Sequence, residues 1–291
     1  MIDELILENE FYTIKIHPSG AELYSVYSKK INREILWQAD SQVWARHAPV
    51  LFPIVGKLKE NKFQYNEKWH ELSQHGFARD LQFDVKSHNK SSAQFLLKSN
   101  ETTKQHFPFE FKLVITYELK QEKISCNYNV MNPSMNELFF SIGAHPGFIC
   151  PIDENEKWTD YSIVFEQFET ANRLCLEDGL LNGNSVLYLK NENNIALAND
   201  LFDEDALVFK NLKSQSLLLK SAKHCLKFSW NNMPYLGIWS KKGQHQFICI
   251  EPWHGVADSK NSSGDFTQKE GIVKLNQNEE FNCNFEFSIL N

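Results

Sequence analysis

Alternating apolar and polar positions recur along the chain with the two-residue period of a β-strand. Apolar residues alternate through residues 111–119, and the pattern resumes over residues 124–130 after the polar turn at 120–122. Two such runs joined by a short turn predict a β-hairpin. The same period occurs in three further segments: residues 12–16, 226–230 and 283–289. Since no long segment has the helical period of 3.6, the pattern predicts an all-β protein, organised as one large antiparallel sandwich.

The alternating runs are separated by short turn signals. Asn132-Pro133-Ser134, Asp178-Gly179 and Asn182-Gly183-Asn184 are clusters of this kind, and such clusters mark connections between strands. No stretch of Pro, Gly or Ser is long enough for an interdomain linker. A chain of 291 residues is within the range of one large β domain. We therefore expect residues 1–291 to form a single domain.

Two apolar runs each end in a chemically active side chain followed by proline. Residues 247–250 are all apolar and precede Glu251 and Pro252, and residues 138–144 precede His145 and Pro146. A run of four apolar residues predicts a strand buried on both faces. Because proline cannot donate to a β-ladder, we expect each strand to end there. A carboxylate and an imidazole presented in this way are the parts of an acid–base pair.

Further polar residues stand in segments that favour ligand contact. His75 precedes Gly76, which permits close approach of backbone or ligand, and Arg79 offers a planar fork of donors. Arg46 lies in a similar segment, residues 46–53. Asp205 is the acidic residue nearest the apolar segment 206–209, so it is the carboxylate of that cluster most suited to rigid placement.

Composition and charge narrow the choice of partner and compartment. The net charge of −7 argues against a nucleic-acid partner, because phosphate binding needs a basic face. No apolar run approaches the ~18 residues of a membrane span. The N-terminus lacks a basic segment before a hydrophobic core, so no signal peptide is expected. The six scattered cysteines contain no Cys-x-x-Cys pair and are interpreted as reduced. We expect a cytoplasmic protein with a small-molecule partner.

Four segments resemble the aldose 1-epimerases (mutarotases), in particular their LacX-like branch. They occur in the same order as in that branch: Gln74–Arg79, Gly143–Phe148, Phe202–Phe209 and Ile250–Trp253. The resemblance extends over nearly the whole chain. It implies the galactose-mutarotase-like β-supersandwich, an all-β fold of antiparallel strands that agrees with the two-residue period.

The resemblance also implies roles for individual residues. His145 would be the general acid and Glu251 the general base, and the substrate contacts would be Arg46, His75, Arg79 and Asp205. Trp253 offers an aromatic platform for a sugar ring, with core packing as the alternative. An aldose changes anomer by opening to the aldehyde and closing on the other face of C1. This reaction needs an acid and a base but no redox change or electron sink, so no cofactor is expected.

Other functional classes remain open at this point. A non-catalytic carbohydrate-binding protein would share the fold and an aromatic cleft but would not need His145 and Glu251. A glycosidase would need two carboxylates, such as Asp205 and Glu251, and no histidine. A metalloenzyme is disfavoured because no His-x-x-x-His or His-Glu-x-x-His cluster provides local ligand spacing.

The identity of the sugar is a separate question. A related branch that acts on hexose 6-phosphates also carries a His-Gly-Phe-Ala-Arg sequence, so Arg79 and Arg46 are candidates for binding a phosphate. This chain departs from that branch, because it has Arg46-His47-Ala48-Pro49 where those enzymes typically have Arg-Gly-Gly before the proline. The departure favours a neutral aldose over a hexose 6-phosphate. No feature of the sequence specifies an oligomeric state.

Overall fold

The computed structural model describes residues 4–291. The strands in this part of the chain are β1 (Leu5–Glu8), β2 (Tyr12–His17), β3 (Glu22–Ser28), β4 (Arg33–Glu34), β5 (Val50–Leu51), β6 (Lys62–Tyr65), β7 (Lys68–Glu71), β8 (Asp84–His88), β9 (Ser92–Lys98), β10 (Lys112–Lys120), β11 (Lys123–Met131), β12 (Leu138–Phe140), β13 (Ile142–Ala144), β14 (Gly147–Ile149), β15 (Ser162–Glu177), β16 (Leu180–Ala196), β17 (Leu207–Lys210), β18 (Ser216–Lys220), β19 (Cys225–Asn231), β20 (Tyr235–Trp239), β21 (Phe247–His254), β22 (Val273–Leu275) and β23 (Glu280–Ile289). One α-helix, α1 (Glu101–His106), and four short 3₁₀ turns complete the described elements: Lys59–Asn61, Ala78–Asp80, Trp158–Asp160 and Phe266–Gln268.

Most of the strands belong to one antiparallel sheet, as the alternating pattern predicts. Its order is β5-β13-β21-β20-β17-β15-β18-β19-β23-β11-β10-β9-β8, with β14 paired to β21 and β16 paired to β15. A separate four-stranded sheet contains β1 to β4 in sequence order. The Tyr12 hydroxyl of β2 accepts a hydrogen bond from the backbone N–H of Ile289, at 2.8 Å, which ties this small sheet to the large one.

The large sheet turns back on itself to enclose its apolar face. Phe148 of β14 packs edge-on against Phe228 of β19 and Phe287 of β23, with ring centroids 5.9 and 5.2 Å apart. These strands are far apart in the sheet order, so they contact each other across a sandwich interior rather than along a ladder. One buried apolar cluster includes residues from Leu5 to Ile289. The single domain expected for residues 1–291 stays a prediction.

The predicted hairpin is confirmed as β10 and β11. The two strands pair in register from Lys112 opposite Met131 to Lys120 opposite Lys123. Gln121 in the turn has a left-handed φ of 53°, as tight hairpin turns require. Alternate side chains of both strands face the core, because a hairpin with one face against the sandwich interior must bury every second residue. The predicted alternating segments near residues 12, 226 and 283 likewise lie in β2, β19 and β23.

The prediction that Pro252 ends its strand is wrong. Residues 247–250 are fully buried as expected, but β21 continues to His254, and Pro252 pairs with Leu236 of β20. On the other side of β21 the partner changes from β14 to β13. The N–H of Ile250 reaches the Pro146 carbonyl in this gap, at 3.2 Å. Backbone nitrogens two residues apart in a strand point to the same side, so the Pro252 nitrogen faces the gap between β14 and β13 as the Ile250 nitrogen does. Because no strand pairs with β21 at this position, the missing N–H of Pro252 costs no ladder hydrogen bond. Glu251 is therefore held within a strand.

The prediction of one continuous strand before His145 is also only partly correct. The run 138–144 divides at Ser141 into β12, which pairs with β22, and β13, which pairs with β21. The backbone N–H of Ser141 bonds instead to the carbonyl of Pro53, at 2.8 Å, and this contact redirects the chain between the two ladders. His145 follows directly after β13, as predicted, and Pro146 separates it from β14.

No helix among residues 4–291 is long and apolar enough to cross a bilayer. Residues 1–3 of the N-terminal segment considered for a signal peptide lie outside the described part of the chain.

Candidate functional site

A cavity of about 310 Å³ opens beside β21, and six of the predicted functional residues line it. They come from segments distant in sequence: His75, Arg79, His145, Asp205, Glu251 and Trp253. Such a cavity combines apolar walls with a few convergent polar groups, which is typical of a small-molecule site. The topology brings the segments together because β13 and β20 both pair with β21.

Strand β21 places Glu251 and Trp253 on the same face. They are two residues apart, which is the repeat of a strand face. Gly237 pairs with Glu251 and Gly143 pairs with Trp253. A Cβ at Gly237 would lie 2.4 Å from Trp253 Cη2, and one at Gly143 would lie 2.5 Å from Trp253 Cδ1. The indole therefore lies over the backbone of both neighbouring strands, in space that only glycine leaves free.

His145 and Glu251 form a buried pair in the wall of this cavity. The Nε2 atom of His145 lies 3.1 Å from Oε2 of Glu251, and the two residues are 8% and 2% exposed. Burial raises the pKa of Glu251 well above its usual value, and the negative charge of Asp205 raises it further. Burial also lowers the pKa of His145, helped by the positive charge of Arg79. Because burial disfavours both charged forms, the pair is suited to sharing a single proton.

Two tryptophans that the sequence did not single out enclose the imidazole of His145. Trp44 stacks on it, with centroids 5.0 Å apart and planes inclined by 25°, and Trp239 meets it edge-on at 6.0 Å. Both also line the cavity. They fix the ring orientation and provide aromatic surface for a ligand. Neither stands in a polar motif, so the chain provides no local signal for them apart from residue type.

His75 is held in one tautomer by the backbone of Gly56. Its own N–H donates to the Gly56 carbonyl at 2.9 Å, and the N–H of Gly56 donates to His75 Nδ1 at 3.1 Å. Because Nδ1 accepts, the neutral ring carries its proton on Nε2. Burial lowers the pKa of His75 well below its usual value, and the charges of His145 and Arg79 act in the same direction. His75 is thus a neutral ring at the cavity, with its Nε2 atom 3.3 Å from the side-chain amide nitrogen of Gln74.

The sharp backbone turn at residues 75 and 76 makes this arrangement possible. His75 and Gly76 have φ values of 67° and 70°, and a Cβ at Gly76 would lie 2.4 Å from the Phe52 carbonyl oxygen. Only glycine fits at that position, since the chain passes directly over the Phe52 backbone. The close approach predicted at Gly76 is therefore between its own backbone and that of Phe52.

The two candidate arginines occupy different places. Arg79 lines the cavity and donates through Nη2 to the Gln74 carbonyl, at 2.7 Å. Arg46 is not among the described residues that line the cavity; its Nη2 donates to Oδ1 of Asp80 at 2.6 Å. The other oxygen of Asp80 lies 3.7 Å from Nε of Arg79. Asp80 thus lies between the two guanidinium groups, and a substrate contact by Arg46 stays a prediction.

Asp205 lines the cavity from a turn that precedes β17. Its φ is 75°, and its Oδ1 accepts a hydrogen bond from the Ala206 N–H at 2.7 Å. Its neighbour Glu204 is bound instead by Arg173, whose Nη1 lies 3.1 Å from Oε2. Asp205 is therefore the carboxylate of this acidic cluster that faces the site, and its negative charge reaches Glu251.

Comparison with known proteins agrees with the resemblance. The family described as Aldose 1-epimerase matches residues 3–274. The plasmid-encoded protein LacX of Lactococcus lactis subsp. lactis is 31% identical over 98% of this chain and 99% of its own. A galactose mutarotase related enzyme from Lactobacillus acidophilus superposes with a TM-score of 0.94 and 36% identity, covering 99% of this chain and 97% of its own. A galactose mutarotase-like protein from Lactobacillus casei superposes with a TM-score of 0.92 and is 30% identical. The match covers 98% of this chain and 99% of that protein.

The tautomer of His75 provides a direct test of the site geometry. We expect the His75 ring to remain neutral, with its proton on Nε2, at pH values near 6.5 where an ordinary histidine is half charged, because its pKa is lowered. Imidazole ¹⁵N NMR across this range measures both properties, and the spectrum of His75→Gln identifies the resonance. A ring that is charged at pH 6.5, or one protonated on Nδ1, would contradict the geometry.

Proposed function

The chain belongs to the aldose 1-epimerase family, and on that premise we propose that it interconverts the α and β anomers of an aldose by acid–base ring opening and closure. The observation that carries the proposal is the buried contact between His145 Nε2 and Glu251 Oε2, at 3.1 Å in the wall of a cavity of small-molecule size. A pair that shares one proton holds one acid and one base at the same time, which is what ring opening requires.

The proposed reaction starts from the form of the pair in which the shared proton is on His145, and Glu251 then takes the proton from the C1 hydroxyl of the bound sugar. The C1–O5 bond breaks, C1 becomes the aldehyde carbon, and the bonding electrons move to O5. His145 gives its proton to O5. Rotation about the C1–C2 bond presents the other face of the aldehyde. Closure reverses the two proton transfers, so no proton is gained or lost overall.

The remaining polar groups are suited to the charge that develops on sugar oxygens. The neutral His75 ring carries its proton on Nε2, which lies beside the Gln74 amide, and Arg79 contributes a guanidinium. The indole N–H of Trp253 is buried beside Glu251 and lowers the pKa of that carboxyl, so it is a further donor at the pair. Donors already in place before the reaction stabilise developing negative charge without reorganisation.

Asp205 and the aromatic walls are suited to orient the ring. The Asp205 carboxylate is an acceptor for sugar hydroxyls, and Trp44, Trp239 and Trp253 provide apolar faces for the C–H surface of the sugar. We propose that these contacts select the orientation in which C1 faces the His145–Glu251 pair.

Replacement of Glu251 tests the proposed base. Glu251→Gln keeps the shape of the side chain but removes proton acceptance, so we expect anomer exchange to fall by at least about 10²-fold. Exchange NMR of an aldose at anomeric equilibrium measures the rate. Glu154→Gln, the same change at an exposed position away from the cavity, serves as the matched control. Wild-type exchange in a folded Glu251→Gln protein would remove this residue from the mechanism.

A hexose 6-phosphate is the second candidate substrate, because Arg46 and Arg79 lie on either side of Asp80 and Arg79 lines the cavity. Their arrangement favours a neutral sugar. Asp80 already pairs with both guanidinium groups, and Arg79 is also committed to the Gln74 carbonyl. The cavity is also lined by the Asp205 carboxylate, whose negative charge would oppose that of a phosphate.

The response of Arg79 variants separates the two substrate classes. For a neutral aldose, Arg79→Lys keeps the charge but loses the planar fork, so we expect roughly tenfold slower exchange for every aldose tested. Exchange NMR over a panel of aldoses and their 6-phosphates gives the measurement. A strong native preference for a 6-phosphate that collapses in Arg79→Ala would assign the phosphate class instead. Binding without acceleration of any sugar would indicate a carbohydrate-binding protein.

A further inference from the structure

Cys249 lies beside the proposed catalytic pair, although the proposed reaction does not use it. It is two residues before Glu251 in β21, so both side chains share one strand face. One donor atom from each of His145, Cys249 and Glu251 lies within 4.8 Å of the other two, and all three residues are buried. No sequence spacing indicated this cluster, because β13 brings His145 to it from about a hundred residues away.

The donor set has a clear metal preference. An imidazole nitrogen, a thiolate sulfur and a carboxylate oxygen are ligands that Zn²⁺ accepts in four-coordinate sites. Mg²⁺ and Ca²⁺ need about six or more oxygen ligands, which this cluster does not offer. Three protein ligands leave one position open, and the cavity lined by His145 and Glu251 supplies space for a water there.

We propose that His145, Cys249 and Glu251 form a reversible binding site for Zn²⁺ and that the bound ion inhibits anomer exchange. Coordination occupies the Nε2 lone pair of His145 and a carboxylate oxygen of Glu251. Neither group is then able to exchange a proton with the sugar. The inhibition rests on the proposed function, whereas the binding does not.

The surroundings of the cluster favour inhibition by an added ion over a permanently held cofactor. Binding displaces two protons to solvent: the thiol proton of Cys249 and the proton shared by His145 and Glu251. In addition, Nδ1 of His145 is buried without a hydrogen-bond partner on any other described residue. Metal-bound histidines usually donate this second N–H to a partner, and loss of such a partner costs about 10–100-fold in affinity.

The route to the site also follows from the burial pattern. His145 and Glu251 line the cavity, whereas Cys249 does not and is fully buried among Trp37 and Phe247. An ion entering from the cavity would therefore meet the imidazole and the carboxylate first and the sulfur last. The thiolate is the ligand that distinguishes this site from an ordinary surface contact between zinc and histidine.

Titration with Co²⁺, an optical substitute for Zn²⁺, tests the binding independently of activity. We expect one equivalent of Co²⁺ to produce a thiolate-to-cobalt charge-transfer band together with the visible bands of a four-coordinate ion, and Zn²⁺ to abolish both. The charge-transfer band should disappear in Cys249→Ser. It should persist in Cys283→Ser, which changes an equally buried cysteine of β23 outside the cluster. Circular dichroism establishes that each variant is folded.

Inhibition provides the second arm of the test. Zn²⁺ should slow anomer exchange by the wild type, and its inhibition constant should rise at least about tenfold in Cys249→Ser, relative to the variant's own rate without zinc. Absence of the thiolate band in folded wild-type protein, or its persistence in Cys249→Ser, would overturn the site. An unchanged inhibition constant in Cys249→Ser would overturn the inhibitory role. A wild type that binds Co²⁺ in this way but exchanges no sugar would instead contradict the proposed function alone.

Discussion

The buried contact between His145 and Glu251 is the interaction on which the rest of the site depends. Two ionisable groups 3.1 Å apart in a poorly hydrated wall cannot change charge independently, since each proton affects the other. Burial moves their pKa values in opposite directions. The pair is thereby suited to carry one proton and to exchange protons with the sugar during both ring opening and ring closure. The charge of Asp205 raises the pKa of Glu251, and that of Arg79 lowers the pKa of His145.

The sheet holds this pair in place through a change of partner along β21. β14 covers one end of that edge and β13 the other, and His145 and Pro146 cross the gap between them. Pro252 occupies the same gap from the β21 side, so its missing N–H leaves no ladder bond unmade. Glu251 is consequently fixed by ladder bonds on a central strand rather than by a loop, which restricts its motion relative to the imidazole.

The sequence predicts the fold well where local pattern determines structure. The hairpin of β10 and β11 follows from a two-residue period and a polar turn, because one face of each strand must be buried. The same reasoning misplaced the end of β21. Pro252 disrupts no ladder hydrogen bond only because its nitrogen faces the gap between β14 and β13, and the sequence does not show which strands flank it. Trp44 and Trp239 escaped notice for a related reason: they contact His145 only through the tertiary fold. Arg46 is a different case: the resemblance implied a substrate contact, the side chain is bound by Asp80, and the contact stays a prediction.

The pH dependence of anomer exchange, compared between wild type and Asp205→Asn, tests the shared proton most directly. The account predicts a bell-shaped profile of kcat/KM, which falls at low pH when both groups are protonated and at high pH when neither is. The negative charge of Asp205 raises the pKa of Glu251. Its removal makes the pair lose its proton more readily, so the alkaline limb should move to lower pH. A profile without two limbs, or an alkaline limb that moves to higher pH in Asp205→Asn, would contradict the account.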